Sequence, residues 1–232
     1  MSLRLFKNKK TYMKYMKLSY AICVCNESRD LFSLVSFLLK VKDAEDEINI
    51  LIDTAHVTEN VKNVIEYFSD KIVTCERDFD GNFAEHRNFH ITQCSGDYIF
   101  MIDPDEIPKE FLIQNLKKLI TDLDGELIMV PRINVCPGFT DEWIKKCNFR
   151  TNDLDWINWP DYQGRIFKNS EHIKWTRGLH EVVSGTDKIV YLRTDPKLGM
   201  WHIKSIEKQD NRWDNEGNYK LPGSNNLYDT LM

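Results

Sequence analysis

Glycine is missing from the first 80 residues of this 232-residue chain. The dinucleotide fingerprint and the phosphate-binding P-loop both need glycines directly after an early strand, because the backbone must approach the phosphates closely there. The first strand-like run leads instead into Cys25-Asn26-Glu27-Ser28. This absence disfavours NAD-dependent dehydrogenases and P-loop kinases or NTPases, and the Gly-rich loop of a sugar nucleotidyltransferase is missing as well. A nucleotide, if one binds, is held by other means.

The six cysteines also lack the spacing of a zinc site, since no two of them form a C-x-x-C pair. Cys23, Cys25 and Cys75 fall in apolar strand-like runs, where a free cysteine behaves as a small hydrophobe. We therefore expect reduced core cysteines in a cytoplasmic protein. No apolar run approaches membrane-spanning length, and the N-terminus lacks the apolar stretch of a secretion signal, so we expect a soluble protein.

Positive charge is not in excess, because 31 Lys and Arg stand against 36 Asp and Glu, for a net charge of −5. A general nucleic-acid binder usually carries a basic face that neutralises phosphates, so we expect no nucleic-acid partner. Basic residues concentrate in a leader, residues 1–17, whose composition is typical of a solvated segment. Since aromatic and methionine side chains alternate with the lysines there, we expect at most peripheral contact with an anionic membrane surface.

Four strand-like runs, each followed by a helix-like pattern, organise the chain up to residue 125. Asn82 with Glu85 three residues later predicts a helix start, and Gly96 predicts a stop. Strands separated by single helices predict a parallel sheet that is covered on both faces. The predicted strands are residues 18–25, 48–52, 71–75 and 98–102.

Beyond Gly125 the regular alternation ends. Loops dense in Trp, Asp and Pro extend to Tyr162, and Ser205 opens a last predicted helix. No repeat or linker divides the chain, so we expect one α/β domain over residues 18–220 and a loose tail over 221–232. Further strands are predicted at residues 126–135, 165–168, 172–175, 189–192 and 200–203.

Acidic residues follow all four predicted strands of the first half. In an open parallel sheet, ligands bind in the crevice at the carboxyl ends of the strands. The pattern therefore predicts a strongly anionic crevice, which suits a nucleotide site if a divalent cation lies between carboxylates and diphosphate. The residues at these ends are Asn26 and Glu27, Asp53, residues 76–82, and Asp103, Asp105 and Glu106.

The sharpest motif is Asp103-Pro104-Asp105, which follows the apolar run Tyr98–Ile102 directly. Hard carboxylate ligands of this kind suit Mg²⁺ or Mn²⁺, and the cation can neutralise charge that develops on a leaving diphosphate. The alternative is an acidic turn that precedes a helix and interacts favourably with its dipole. The place of the motif after a fourth buried strand favours the metal site.

These motifs, in this order, resemble the GT-A glycosyltransferases, and the N-terminal half resembles family 2 of that group. Within this resemblance Asp53 contacts the nucleotide base, although Thr54–Val57 replaces the usual small turn that contains Gly and Ser. Later motifs resemble a branch that includes enzymes of lipopolysaccharide-core synthesis. The similar segments are residues 21–27, 50–53, 82–88, 95–97, 159–167, 178–181 and 201–202.

The resemblance implies a single GT-A domain of Rossmann-like α/β class with a mostly parallel central sheet. Residues 18–125 would bind the nucleotide and residues 126–220 the acceptor. The implied reaction moves a sugar from a nucleoside diphosphate sugar, UDP by default, to a hydroxyl of a glycan or lipid-linked sugar, with inversion. Mn²⁺ or Mg²⁺ is the implied cofactor, with Asp103, Asp105 and His202 as its ligands.

The remaining site residues follow partly from the resemblance and partly from chemistry. Glu181 is the expected base that takes the proton from the acceptor hydroxyl, and Asp161 is its rival. Trp156, Trp159, Tyr162 and Trp175 are either a sugar-stacking platform or core residues. A nucleotidyltransferase and a non-catalytic glycan- or partner-binding relative remain as alternatives. The expected nucleotide-sugar contacts are Asn26, Glu27, Asp53, Arg87, Asp103, Arg165 and Lys204.

Overall fold

A computed structural model describes residues 15–210 and shows regular alternation of strand and helix in the first half. Each predicted strand of this half is present, although the third lies two residues later than predicted. The elements are β1 (Leu18–Val24), α1 (Ser28–Val41), β2 (Glu47–Asp53), α2 (Glu59–Tyr67), β3 (Val73–Arg77), α3 (Phe83–Thr92), β4 (Tyr98–Ile102), β5 (Glu106–Pro108) and α4 (Glu110–Leu123).

The second half is richer in strands than its sequence indicates. Residues 157–168 form one long strand, whose first part was predicted as loop because it contains Trp159-Pro160 and few apolar residues. The elements are β6 (Leu127–Val135), α5 (Asp141–Lys146), β7 (Ile157–Lys168), β8 (Lys174–Thr176), β9 (Val182–Ser184), β10 (Ile189–Tyr191), a 3₁₀ turn (Pro196–Leu198), β11 (Met200–Ile203) and α6 (Ile206–Asp210).

Within the described residues, nine strands form one sheet in the order β3-β2-β1-β4-β7-β6-β11-β5, with β10 also paired to β6. Strands β1 to β4 pair in parallel, as predicted, whereas β7 runs antiparallel to both β4 and β6. Strand β6 therefore points the same way as β4, and β11 is parallel to β6. The carboxyl ends of β1, β2, β4, β6 and β11 consequently meet at one edge of the sheet.

Two apolar cores hold the layers together. One face of the sheet packs against α1, α2 and α4, through residues such as Leu34, Val61 and Leu116. The opposite face packs against α3 and the small β8–β9 hairpin, through Ile91 and Trp175 among others. Both faces of the central strands are therefore covered, as expected for a doubly wound parallel sheet.

Helix α3 and the turn that follows it are set by two local features. The side chain of Asn82 accepts a hydrogen bond from the backbone N–H of Glu85 at 3.1 Å, which confirms the predicted helix start. The helix ends at Thr92, before the predicted stop at Gly96. Gly96 has another role, because a Cβ atom there would lie 2.6 Å from the backbone nitrogen of Ser19. Only glycine lets this turn lie against β1.

The predicted leader and tail lie largely outside the described residues. The last two residues of the leader belong to the fold, since Met16 is fully buried and the Lys17 ammonium lies 2.9 Å from a Glu47 carboxylate oxygen. All six cysteines are free thiols. Between residues 15 and 210, no helix combines the length and the apolar character that crossing a membrane requires.

Candidate functional site

Arg87, on the inner face of α3, joins two acidic residues at the sheet edge. Its Nε donates to Glu181 Oε1 at 2.9 Å, and its Nη2 donates to Asp103 Oδ1 at 2.8 Å. The guanidinium also lies 4.8 Å from the ring centroid of Trp175, where a cation–π contact adds to the attraction. Arg87 is therefore fixed on three sides, between the end of β4 and the loop before β9.

Asp103 accepts from a second arginine, which comes from β7. Arg165 Nη2 lies 2.5 Å from Asp103 Oδ2 and 2.7 Å from Glu106 Oε1. Burial would raise the pKa of Asp103, but Arg165 and Arg87 outweigh it and hold that pKa well below its ordinary value. Asp103 is therefore a permanent carboxylate between two guanidinium groups.

Glu106 continues the contacts towards β6 and is completely buried. Its Oε1 accepts from Arg132 Nη1 at 3.0 Å, while its Oε2 accepts from the backbone N–H of Asp103 at 3.1 Å. Arg132 in turn donates from Nη2 to Asp161 Oδ2 at 2.6 Å. The same Asp161 oxygen accepts from Asn134 Nδ2 at 2.9 Å.

Acids and arginines thus alternate in an unbroken line, which we call the ion-pair chain. Its four carboxylates and three guanidiniums give a net charge of −1, so the arginines largely neutralise the acids of this chain. Other acids at the strand ends, among them Glu27, Asp53 and Asp105, lie outside it, and the anionic crevice stays a prediction. The prediction considered only the acids that follow β1 to β4. It did not include Arg87 of α3, Arg132 of β6 and Arg165 of β7. In order, the ion-pair chain consists of Glu181, Arg87, Asp103, Arg165, Glu106, Arg132 and Asp161.

Asp105 lies beside this chain, next to two side chains from the end of β11. Its Oδ2 is 3.8 Å from His202 Nε2 and 3.5 Å from Lys204 Nζ. Residues 202 and 204 point to the same face because side chains alternate along a strand. Burial lowers the pKa of His202 well below its ordinary value, so its imidazole is neutral.

The hydrogen bonds of His202 make it a suitable metal ligand. Asn134 donates from Nδ2 to Asp161, so the Asn134 Oδ1 that lies 2.6 Å from His202 Nδ1 must accept. The imidazole proton is then on Nδ1, and the lone pair on Nε2 faces Asp105, an arrangement common among histidines that bind metals. A divalent ion in contact with one carboxylate and one imidazole would fit here if phosphate oxygens completed its coordination.

The three-ligand set of Asp103, Asp105 and His202 is not gathered in this arrangement. Across residues 15–210, no group of three or more His, Cys, Asp or Glu side chains is placed to hold a metal ion. The physical reason lies in Asp103, whose two oxygens face Arg87 and Arg165. Asp105 and His202 are therefore the metal-ligand candidates.

The ends of β1 and β2 carry the other predicted nucleotide contacts. Glu27 folds back, so that its Oε2 accepts from the backbone N–H groups of Cys25 and Asn26 at 3.1 and 3.0 Å. Asp53 is buried, and its Oδ1 accepts from the N–H groups of Ala55 and Phe79. Both carboxylates therefore shape the loops at this edge, and a direct nucleotide contact stays a prediction.

Two buried N–H groups of the arginines have no hydrogen-bond partner among the described residues. They are Nη1 of Arg87 and Nε of Arg165, both on guanidiniums that contact Asp103. Because a buried donor without a partner is costly, such groups are typical of sites that bind a ligand. An anionic oxygen is the natural acceptor for a guanidinium N–H.

The aromatic candidates for a sugar-stacking surface differ in their burial. Trp175 is buried between Phe167 and Arg87 and is a core residue. Trp156 and Trp159 are only partly buried, with ring centroids 5.2 Å apart. These two therefore remain candidates for a sugar-stacking surface.

Sequence reasoning missed Arg132 and Asn134, and it placed Glu106 at a strand end without giving it a role. A signal for the first two was present, since Arg132 and Asn134 alternate on β6 as His202, on β11, and Lys204, directly after it, do. Polar residues that share one face near the end of a predicted strand are unusual. Arg132 and Asn134 could therefore have been predicted as site residues on the same ground as His202 and Lys204.

The sequence profile of glycosyl transferase family 2 matches residues 19–180. This match spans β1 to the loop before β9 and includes Arg87, Asp103, Asp105, Asp161 and Arg165. The chain therefore belongs to glycosyl transferase family 2, and its fold is that of the GT-A glycosyltransferases.

Individual relatives agree with this assignment. The glycosyltransferase GlyG of Streptococcus pneumoniae is 25% identical over 115 residues, which cover 48% of this chain and 38% of GlyG. The structure of S. aureus TarS 1–349 superposes with a TM-score of 0.55 at 14% identity, covering 81% of this chain and 60% of that one. Its complex with UDP-GlcNAc gives 0.54 at 15% identity, with coverages of 82% and 59%. The chain thus spans less than two thirds of either relative.

Proposed function

We propose that this chain transfers a sugar from a nucleoside diphosphate sugar to a hydroxyl group of a carbohydrate or glycolipid acceptor. The observation that carries the proposal is that Asp105 lies beside His202 and Lys204 at the carboxyl edge of the sheet, while Asp103, two residues earlier, contacts two arginines that have unpaired N–H groups. This edge is where α/β folds bind their ligands. A UDP-sugar is our default donor, in line with the TarS complex with UDP-GlcNAc.

Donor binding in this proposal requires Mn²⁺ or Mg²⁺. Asp105 and His202 would hold the ion, and donor phosphate oxygens would complete its coordination. Bound there, the ion supplies positive charge that stabilises the leaving diphosphate. Lys204 and the free N–H groups of Arg87 and Arg165 would contact further phosphate oxygens.

Glu181 is the proposed general base. Among the described residues it accepts a single hydrogen bond, from Arg87, whereas Asp161 accepts from Arg132, Asn134 and Gln163. Burial raises the pKa of Asp161, but these partners together hold it below its ordinary value, which weakens Asp161 as a base. Attack by the activated hydroxyl on the face opposite the diphosphate would invert the anomeric centre.

The nucleoside would lie over the ends of β1 and β2. Asn26 and Glu27 close the end of β1, and Asp53 holds the loop after β2 through its bonds to Ala55 and Phe79. We assign the contact with the nucleobase to this region, with Asp53 binding it directly or positioning the loop that does. Because all six thiols are free, we also propose a cytoplasmic setting.

A donor-hydrolysis assay tests the function. The chain is incubated with UDP-glucose, UDP-galactose, UDP-GlcNAc or GDP-mannose, with Mn²⁺ and with EDTA, and free sugar is measured. Slow, metal-dependent release of sugar supports the transferase. Turnover that requires pyrophosphate would instead identify a nucleotidyltransferase, and the lack of both turnover and donor binding would identify a non-catalytic relative.

A further inference from the structure

The β8–β9 hairpin carries the proposed base Glu181 at its tip. Residues 177–181 connect the two strands, and we call this segment the base loop. Strands β8 and β9 are only three residues long each. Because so short a hairpin has little stability of its own, its loop needs contacts with the rest of the fold to stay in one place.

The backbone of the base loop is strained. Arg177 and His180 have φ angles of +70° and +55°, in the left-handed region that side chains other than glycine rarely adopt. Both residues are exposed, so their own side chains do not hold them in the core. A strained conformation persists only where surrounding contacts require it. Helix α3, which packs against the hairpin, makes such contacts.

Asn88 of α3 makes the most direct of these contacts. Its Nδ2 donates to the backbone oxygen of Trp175 at 2.8 Å, and its Oδ1 accepts from the backbone N–H of the same residue at 2.9 Å. One side-chain amide thus pairs with both backbone groups of one residue, as a neighbouring antiparallel strand would. The two bonds together fix the distance and the orientation of β8 relative to α3.

Two further contacts extend this attachment to the base loop. The backbone N–H of Phe83, the first residue of α3, donates to the Gly178 oxygen at 3.0 Å. Arg87 donates to the Glu181 carboxylate at 2.9 Å and also to Asp103. Strand, loop and carboxylate are therefore attached to the helix that also contacts the end of β4.

Apolar packing of the hairpin does not depend on Asn88. The ring of Trp175 is buried and contacts Phe167, with centroids 6.0 Å apart, within the core on this face. Such contacts hold the hairpin on the sheet, but they are not directional and tolerate small shifts. The hydrogen bonds of Asn88 are directional, and a shift that they prevent at Trp175 would extend along the loop to Glu181.

We propose that Asn88 is the positioning residue of the base, and that by fixing β8 to α3 it holds the Glu181 carboxylate where it can take the proton of the attacking hydroxyl. The inference rests on the proposed function and adds a residue that acts through Glu181 without contacting the substrate. A displacement of about 1 Å at a reacting group can lower a rate about 10²-fold. Loss of the two bonds should therefore lower turnover while metal and donor still bind.

Asn88→Leu keeps nearly the shape of the side chain and removes both hydrogen bonds. Metal-dependent hydrolysis of the preferred donor, with water as the acceptor, gives kcat and KM, and calorimetry gives donor affinity. We expect kcat to fall about 10- to 100-fold, with KM and donor affinity unchanged within about twofold. Asn115→Leu is the matched control and should change none of them. Asn115 also donates to a backbone oxygen, that of Phe111 at 2.8 Å, but on α4 at the opposite face of the sheet.

Combination with Glu181→Gln shows whether Asn88 acts through the base. If it does, adding Asn88→Leu to Glu181→Gln should lower kcat by less than about twofold further, because the group that Asn88 positions is already lost. Hydrogen exchange should become faster over residues 174–184 in Asn88→Leu and stay unchanged in β4. Thermal unfolding tests whether each variant folds. Asn88→Asp, which keeps an acceptor for the Trp175 N–H, takes the place of Asn88→Leu if that variant does not fold.

Three outcomes overturn the inference while leaving the proposed function in place. An unchanged kcat in Asn88→Leu would show that the base does not need these hydrogen bonds. An equal loss with and without the Glu181 carboxylate would show a general structural effect or a base elsewhere. A parallel fall in donor affinity would assign Asn88 to the donor site. If the parent chain neither binds nor hydrolyses any donor, the proposed function fails, and the inference fails with it.

Discussion

Glu106→Gln removes the charge at the centre of the ion-pair chain. The parent carboxylate is fully buried and accepts three hydrogen bonds, from Arg132 at 3.0 Å, from Arg165 at 2.7 Å and from the Asp103 backbone at 3.1 Å. A glutamine has one oxygen, so its NH₂ group must face either the two arginines or the Asp103 N–H. In both orientations, two donors point at each other.

The expected loss of unfolding free energy follows from the two charge-assisted hydrogen bonds that Glu106 accepts from arginines, which are worth about 1.5–3 kcal/mol each. Removing one partner of a buried ion pair usually costs about 3–5 kcal/mol, because the other charge is left unpaired. In Glu106→Gln, Arg165 still pairs with Asp103 and Arg132 still pairs with Asp161. The loss of stability should therefore be smaller than for an isolated buried pair. We expect the free energy of unfolding to fall by about 2–4 kcal/mol.

Urea unfolding at pH 7, followed by tryptophan fluorescence, measures this change. Glu171→Gln is the matched control, since Glu171 is exposed and should change stability by less than about 0.5 kcal/mol. A loss below about 1 kcal/mol for Glu106→Gln would refute the reasoning. It would show that the arginines repack or that water replaces the carboxylate.

Three further predictions concern chemistry and pH. Glu181→Gln should lower turnover by about 10²–10⁴ with donor affinity almost unchanged, and a similar loss confined to Asp161→Asn would move the base to Asp161. Asp105→Ala should abolish metal-dependent donor affinity in calorimetry, and retained affinity would exclude it as a ligand. Glu47 has its pKa lowered to about 2, because Ser19, Ser95 and Lys17 outweigh its burial. A depressed carboxylate stabilises the fold above its unfolded pKa of about 4.3, so Glu47→Gln should cost about 1–3 kcal/mol at pH 7. That difference should shrink as pH falls from about 4.5 towards 2, and a pH-independent difference would contradict it.

Much of the first half of the fold was predictable because its signals are local. The run Tyr98–Ile102 is entirely apolar and entirely buried, and Asp103 follows it within the same few residues. Asn82 and Glu85 likewise lie one helical turn apart. Helical spacing and strand alternation report directly on such neighbours.

The arrangement of the site was less predictable because its partners are distant in sequence. Arg87 and Glu181 are separated by 94 positions, and Arg165 and Asp103 by 62. Pattern reasoning found each of these residues but had no basis for pairing them, so it did not predict that two arginines would contact Asp103. Strand β5 was missed for another reason, since three residues that end in Pro108 carry too little periodicity to be recognised.

The alternation of charge along the ion-pair chain makes its acids and its arginines unequal as targets of mutation. Loss of Glu106 or Asp103 leaves two shorter segments that are each neutral. Loss of Arg165 leaves two segments that each carry one negative charge, directly beside the place proposed for a diphosphate. Variation that preserves donor binding should therefore be tolerated at the acids before it is tolerated at the arginines. A variant that keeps donor binding but lacks one arginine of the ion-pair chain should also lack a neighbouring acid of that chain.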